Sequence, residues 1–197
     1  MTDAPAHEWN VKIYASEGAS VETDAIVRVF HGWIQAHTLP EILIDVADYS
    51  HVHEGPGVLL VCHGAQYALD SSEGRLGLLY ARKRAGPKGE LAHTLETSLR
   101  AALGACRMLE EDSALGGRLR FRGDELRLSL QNRLAAPNEP ATYARIEPEI
   151  AHVLGRLFGD AKLAVEREPD AREAFGLRVR APATSDVATL LARLDGG

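Results

Sequence analysis

The chain has 197 residues, of which 45% are hydrophobic and 25% are charged, and its formal net charge is −6. This composition predicts a folded chain with a substantial core. The acidic balance argues against a dedicated binder of nucleic acids or membrane surfaces, because such binding depends on basic residues. No stretch approaches the roughly eighteen apolar residues of a membrane span, and residues 1–10 lack the basic and apolar regions of a signal peptide. We therefore expect a soluble, cytoplasmic protein.

The first half of the chain alternates between strand and helix periodicity. Val11, Ile13 and Ala15 alternate with other residues, which indicates a strand with one covered face. Residues 89–112 carry apolar side chains at helical spacing, the strongest periodic signal in the chain. The predicted elements are a strand at 11–16, a helix from Ser20 to Pro40, strands at 41–53, at 58–62 and from Gly74, and a long helix at 89–112.

Two glycines, Gly116 and Gly117, interrupt the pattern after the long helix. They divide the chain into an N-terminal half, 1–115, and a C-terminal half, 117–197, unless the two halves form one continuous domain. The C-terminal half alternates between strands and helices in the same way as the first. Its predicted elements are a hairpin at 118–131 with its turn at Gly123-Asp124, a helix from Pro148 to Phe158, a second hairpin at 161–165 and 175–179, and a short helix at 185–194.

Strands joined by short turns, with helices between the groups, predict an α+β fold. We expect a layered sheet, antiparallel-rich or mixed, or two such sheets, with helices packed mainly on one face. The glycine-rich nucleotide-binding motifs are absent from the sequence, as are the common hydrolase and zinc-protease signatures. Many catalytic sites assemble from distant residues, so the question of an enzyme stays open.

The stretch DYSHVHEGPGVLLVCHGAQYALD, residues 48–70, concentrates three of the eight histidines beside acidic residues and a Gly-Pro-Gly turn. Such a cluster suits ligand binding or acid–base chemistry near neutral pH. In this hypothesis His51 and His53 bind or transfer protons, and Asp48 or Glu54 orients them. Two further residues, Tyr49 and His63, would contact the ligand. Cys62 and His63 cannot form a nucleophile–base pair within a regular strand, because neighbouring strand residues point to opposite faces. Cys62 is therefore interpreted as a small core residue.

The same histidines could form a metal site for zinc or iron. His51 and His53 share one face of the predicted strand at 41–53, and His63 is the obvious third ligand. A four-residue loop at 54–57 would place His63 opposite Asp48 and away from the other two. A loop of three or five residues would place all three imidazoles on one face. Pro56-Gly57 suits the centre of a type II turn, with positive φ at Gly57.

The predicted hairpin at 118–131 places Arg120 directly opposite Arg127. Like charges in this position repel each other, so something negative must lie between them. The candidates are Glu166 and Glu168 of the following hairpin, a partner chain, or a small anionic molecule.

Two functions remain open from the sequence. The first is binding of a small ligand or a divalent metal around residues 48–63, with or without hydrolytic or acid–base chemistry. The alternative is a non-catalytic, homo-oligomeric interaction protein that uses its hairpin edges and the face bearing Arg120 and Arg127. Both can hold for the same protein.

Overall fold

The computed structural model describes residues 8–53, 55–83 and 91–196, and eight strands and four α-helices lie within these ranges. The strands are β1 (Trp9–Ala15), β2 (Leu43–Tyr49), β3 (Gly57–Cys62), β4 (Ala65–Asp70), β5 (Gly77–Arg82), β6 (Phe121–Leu130), β7 (Ala164–Arg167) and β8 (Phe175–Arg180). The helices are α1 (Thr23–Ala36), α2 (Leu91–Glu111), α3 (Pro140–Phe158) and α4 (Val187–Asp195). None of the helices in the described ranges is both long and apolar enough to cross a bilayer.

All eight strands form one antiparallel sheet in the order β2-β3-β4-β5-β1-β6-β8-β7. Val11, Leu60 and Leu177 belong to a single core that also contains buried residues of all four helices. Because neighbouring strand residues point to opposite faces, Lys12 and Tyr14 lie on the other face of the sheet. We call this the open face. The predicted α+β fold, with helices packed on one face of an antiparallel sheet, is confirmed.

The two halves of the chain meet at the antiparallel pairing of β1 with β6, which places Trp9 opposite Leu130 and Ile13 opposite Leu126. Each half runs strand, helix, antiparallel strands, helix. In each half the last strand pairs back onto the first, as β5 does on β1 and β8 on β6. The sheet and its core therefore extend without interruption across both halves.

The predicted hairpin at 118–131 is wrong, because residues 121–130 form the single strand β6. Gly123 lies inside this strand. A Cβ atom added there would come within 1.7 Å of the Ser185 carbonyl oxygen, so glycine allows the segment before α4 to approach closely. Asp124 does not form a turn, and its carboxylate accepts hydrogen bonds from Arg122 at 2.9 and 2.8 Å.

Other boundaries also differ from the prediction. The predicted strand from Gly74 begins at Gly77, and the additional strand β4 precedes it. Helix α3 begins at Pro140, so Pro148 lies inside the helix rather than in its first turn. Pro148 removes one helical hydrogen bond, but Ala144, whose carbonyl it would use, is exposed to solvent. The predicted long helix, second hairpin and terminal helix are confirmed as α2, β7–β8 and α4.

Candidate functional site

A cleft lies at the end of the sheet where β1, β2 and β4 finish. Its volume is about 500 Å³, within the range of roughly 300–1,000 Å³ that small-molecule pockets occupy. Three stretches that are distant in the sequence provide most of its walls. They are the start of α1 (Val21, Thr23, Ile26), the end of β2 and the chain after it (Tyr49, Ser50, Val52, His53), and the connection between β4 and β5 (Ser71, Gly74, Leu76).

Consecutive turns fold the chain after β2 back toward the sheet. The Asp48 carboxylate accepts a hydrogen bond from the Ser50 backbone N–H at 2.8 Å, and the Val52 N–H donates to the Tyr49 carbonyl at 2.9 Å. The hydrogen bonds from Ser50 hold the pKa of Asp48 below its usual range, and the charge of His51 contributes to the same shift. Asp48 therefore holds the turn that presents the cleft residues. Glu54 lies outside the described residues.

The glycines of the Gly-Pro-Gly turn have little space around them. Gly57 has a φ of +67°, as predicted from its position in the turn, and a Cβ atom there would meet the Leu69 carbonyl oxygen at 2.1 Å. A Cβ atom on Gly55 would approach Val52 and Tyr49 to within 2.8–3.0 Å. Both positions therefore require glycine for the loop to pack against itself and against β4.

The histidines do not share a strand face. The predicted strand at 41–53 is present but shorter, because β2 runs from Leu43 to Tyr49, which pairs with Gly57. None of the loop lengths considered is therefore found. His51 and His53 are exposed residues of the loop, and His53 lines the cleft. A bulge between Leu43 and Asp45 further shifts the β2–β3 register, since it places an extra residue in the edge strand.

His63 lies at the opposite end of β3, where its N–H donates to the Ile42 carbonyl at 2.9 Å. The six residues of β3 place about 17 Å between its two ends. His63 therefore cannot ligate one zinc or iron ion together with His51 and His53, and this expectation is corrected. Across residues 8–53, 55–83 and 91–196, no group of three or more His, Cys, Asp or Glu side chains is arranged to hold a metal ion.

Both cysteines are free and buried, which agrees with the interpretation of Cys62 as a core residue. Burial raises the pKa of the Cys62 thiol to about 12, so the thiolate is scarce at neutral pH. Cys106 is also buried, which raises the pKa of its thiol well above the ordinary value. Neither residue has the environment of a nucleophile, and both serve as small core side chains.

Arg127 lies on the open face, between Lys12 of β1 and Arg178 of β8 in the neighbouring strands. Its Nε is 3.2 Å from a Glu168 carboxylate oxygen, and a second ion pair joins it to Glu73. Of the two acidic residues expected between Arg120 and Arg127, Glu168 thus pairs with Arg127 but not with Arg120. Arg127 also lines a smaller cavity of about 210 Å³.

The predicted pairing of Arg120 with Arg127 is wrong, because the two residues belong to one continuous chain segment and not to two facing strands. Arg120 is exposed and lies 3.8 Å from a carboxylate oxygen of Glu110. Glu166, the other acidic residue considered for this position, lies 3.4 Å from Arg180.

One wall of the cleft is bound by charged residues of the open face. Residues 71–76, here called the 71–76 segment, contribute Ser72 and Arg75 to that side. The Lys12 ammonium, which is paired with Asp70 at 2.6 Å, also donates to the Ser72 carbonyl at 3.1 Å. The Arg75 guanidinium donates to both carboxylate oxygens of Glu125 at 2.8 Å, and these bonds lower the pKa of Glu125. Charged residues of the open face thus stabilise the 71–76 segment, which forms this wall of the cleft.

The structure brings together Tyr49 and His53 of the predicted site and places His63 elsewhere. Sequence patterns did not indicate Thr23, Ser71 or Leu76, which reach the cleft from the start of α1 and from the 71–76 segment and have no distinctive motif. Their only signal is proximity to strand ends, which follows from the order of the strands in the sheet. No protein-family model and no curated protein matches the sequence.

Proposed function

We propose that this protein binds a small molecule in the cleft at the end of the sheet, with Tyr49 and His53 among its contact residues. One observation carries the proposal. Two residues selected from the sequence for their chemistry line a cavity of about 500 Å³ that separate parts of the chain build together. Pockets with this volume and a mixed apolar and polar lining are typical of small-molecule sites.

The lining indicates the character of the ligand. Val21, Val52 and Leu76 supply apolar surface, while hydroxyl groups come from residues such as Thr23 and Ser71. His53 can donate or accept a hydrogen bond near neutral pH, and in its protonated form it favours an anion. We therefore propose a small, partly apolar molecule that carries an anionic group. An imidazole beside the ligand can also exchange a proton with it, which is the acid–base chemistry included in the proposal.

A neutral, apolar fluorescent probe, phenylnaphthylamine, tests the cleft. We expect its fluorescence to rise saturably with one site per chain. Val52→Asp should weaken binding about tenfold or more, because it places a carboxylate in the apolar part of the site. Leu134→Asp is the matched control, since Leu134 is 99% exposed and does not line the cleft. Absence of saturable binding, or equal affinity in the Val52→Asp variant, would contradict the proposal.

A second function, self-association, is supported by the apolar surface of the β2 edge. Five large hydrophobic side chains are exposed among the described residues, and all except Leu134 lie on or beside β2. They are Ile42 (71% exposed), Ile44 (56%), Tyr49 (44%) and Val52 (45%). An apolar edge strand of this kind can pair with the same strand of a second copy. We therefore propose β2 as the contact of a homo-oligomer.

Sedimentation velocity over a range of protein concentrations tests this second proposal. The wild-type protein should show concentration-dependent association, and Ile44→Lys should abolish it by placing a charge on the edge. Leu134→Lys, which adds the same charge at an exposed site away from β2, should associate as the wild type does. A wild-type protein that remains monomeric at high concentration would remove the proposal.

A further inference from the structure

A second cavity adjoins the cleft. Its volume is about 300 Å³, and its lining shares Gly74 and Leu76 with the lining of the cleft. The remaining walls come from residues 15–19, which follow β1, and from Arg75 and Arg122. We infer that this cavity receives the anionic group of the bound molecule, at Arg75 and Arg122. The inference rests on the proposed binding function and places the anionic group beside two arginines, whereas the cleft itself offers it only His53.

Both guanidinium groups are held in place by carboxylates that do not line the cavity in the described part of the chain. Arg75 donates to both oxygens of Glu125 at 2.8 Å, and Arg122 donates to both oxygens of Asp124 at 2.9 and 2.8 Å. Each guanidinium has five N–H donors, so N–H groups remain beyond the two used in each pair. The two side chains are 32% and 31% exposed.

Paired arginines of this kind are preorganised to bind an anion. Their planar groups are already oriented, so less side-chain entropy is lost when a carboxylate, sulfonate or phosphate binds. Arg75 is further fixed by stacking over the Tyr14 ring, with its guanidinium carbon 3.8 Å from the ring centre. Arg127 on the open face is less suited to bind an anion, because its guanidinium already pairs with both Glu73 and Glu168.

The two cavities adjoin at Gly74 and Leu76, which line both of them. A Cβ atom added to Gly74 would meet no atom within 4 Å, so the space beside this residue is empty. A ligand can therefore place a neutral, partly apolar body in the cleft and its charged group next to Arg75 and Arg122. The ligand class that fits both compartments is an amphipathic small molecule with one anionic end.

Glu17 also lines the second cavity. Its charge is opposite to that of Arg122, so removing it should change the affinity for an anion in the opposite direction. Its exposed carboxylate opposes an anion in the cavity. Removal of this charge should therefore strengthen anion binding, whereas removal of Arg122 should weaken it. A purely structural role for either residue would not produce opposite changes.

The experiment compares two probes of similar shape, anionic anilinonaphthalene sulfonate and neutral phenylnaphthylamine. Arg122→Gln should weaken binding of the sulfonate about fivefold to tenfold, the loss expected for one charge-assisted hydrogen bond, and should change binding of the neutral probe less than about twofold. Glu17→Gln should tighten binding of the sulfonate only. Arg172→Gln is the matched control, because Arg172 also pairs with an aspartate two residues away but is 89% exposed and lies outside both cavities.

The outcomes separate the two proposals. If the neutral probe binds and neither Arg122→Gln nor Glu17→Gln changes the affinity for the sulfonate, the arginine subsite is overturned and the cleft remains. If Arg172→Gln weakens sulfonate binding as much as Arg122→Gln does, the effect is one of net charge and the subsite is again overturned. If neither probe binds the wild-type protein, the proposed function itself fails. Should Arg122→Gln not fold, tighter sulfonate binding by Glu17→Gln alone supports the subsite, and unchanged binding overturns it.

Discussion

Gly57 shows how a single residue determines the shape of the cleft. Its positive φ reverses the chain after the turn, and the absence of a side chain lets β3 begin against the Leu69 carbonyl of β4. Tyr49 pairs with Gly57 at this point, so the same contact also sets where β2 ends. The position of His53 in the cleft wall thus depends on a residue that has no functional group of its own.

We predict that Gly57→Ala destabilises the protein by at least about 1–3 kcal/mol, because alanine is strained at positive φ and its Cβ would overlap a backbone oxygen. Urea unfolding measures the loss. Gly64→Ala is the control at the other end of β3, where an added Cβ meets no atom within 4 Å. Similar unfolding midpoints for the two variants would show that the close contact at Gly57 has no energetic importance.

The 71–76 segment shows how one short element connects two surfaces. Ser71, Gly74 and Leu76 line the cleft, while Ser72 and Arg75 are bound by charged residues of the open face. Glu73 adopts a left-handed backbone conformation with a φ of +62° and is held by ion pairs with Arg127 and Arg178. The conformation of this cleft wall therefore depends in part on the ion pairs of Glu73, whose partners Arg127 and Arg178 do not line the cleft.

The Arg75–Glu125 pair makes this attachment sensitive to acid. Hydrogen bonds from Arg75 lower the pKa of Glu125 in the folded protein, so the pair stabilises the fold above the ordinary pKa of a glutamate. That contribution is lost as the pH falls through the lowered folded value. We expect the wild-type protein to lose more stability between about pH 5 and pH 3 than Arg75→Gln does.

Urea unfolding at several pH values in this interval checks the prediction. Arg107→Gln serves as the control, because its guanidinium lies 3.8 Å from Glu111 on an exposed helix surface and contributes little. The control should lose stability with the same pH dependence as the wild type. An Arg75→Gln variant that follows the wild-type curve would contradict the role assigned to the pair.

At the scale of the whole molecule, β1 joins the two halves. It pairs with β5 of the first half on one side and with β6 of the second half on the other. The core on the helix side is continuous from α1 to α4, and the ion pairs from Arg75 to Glu125 and from Glu73 to Arg178 cross between the halves on the open face. Neither half could bury its side of the central pair alone.

We therefore predict that the protein unfolds in one cooperative step. Tryptophan fluorescence reports on Trp9 and Trp33 in the first half, and far-UV circular dichroism reports on the whole chain. The two unfolding curves in urea should coincide. Leu128→Ala in β6 should lower both midpoints together, by about 2–5 kcal/mol in stability, since Leu128 is fully buried opposite Val11. Separate transitions would show two independent domains.

Local pattern accounts for what could be predicted of the fold. Alternating residues identified β1 and the β7–β8 hairpin, helical spacing identified α2, and both periodicities together predicted an α+β fold with helices on one face. The glycine conformation at Gly57 and the burial of Cys62 were also predicted, because each depends on nearby residues. These features follow from which way successive side chains point, and that is a property of the sequence itself.

Where a strand ends, and what it pairs with, depended on tertiary structure. No turn forms at Gly123-Asp124, because β6 pairs with β1 on one side and with β8 on the other. Residues 65–70 form β4, because β3 and β5 lie on either side of them. These two errors left the expected number of strands unchanged.

The sequence by itself determined the class of fold, most of its helices and the candidate residues Tyr49 and His53. Tertiary structure alone decided that His53 lies in a cleft and that His63 lies at the far end of β3. It also decided that Arg75 and Arg122 line one cavity together with Gly74. The physical reason is that periodicity encodes which face a side chain occupies, whereas a site depends on distances between loops. Those distances are set by the order and register of strands that pair across long stretches of chain.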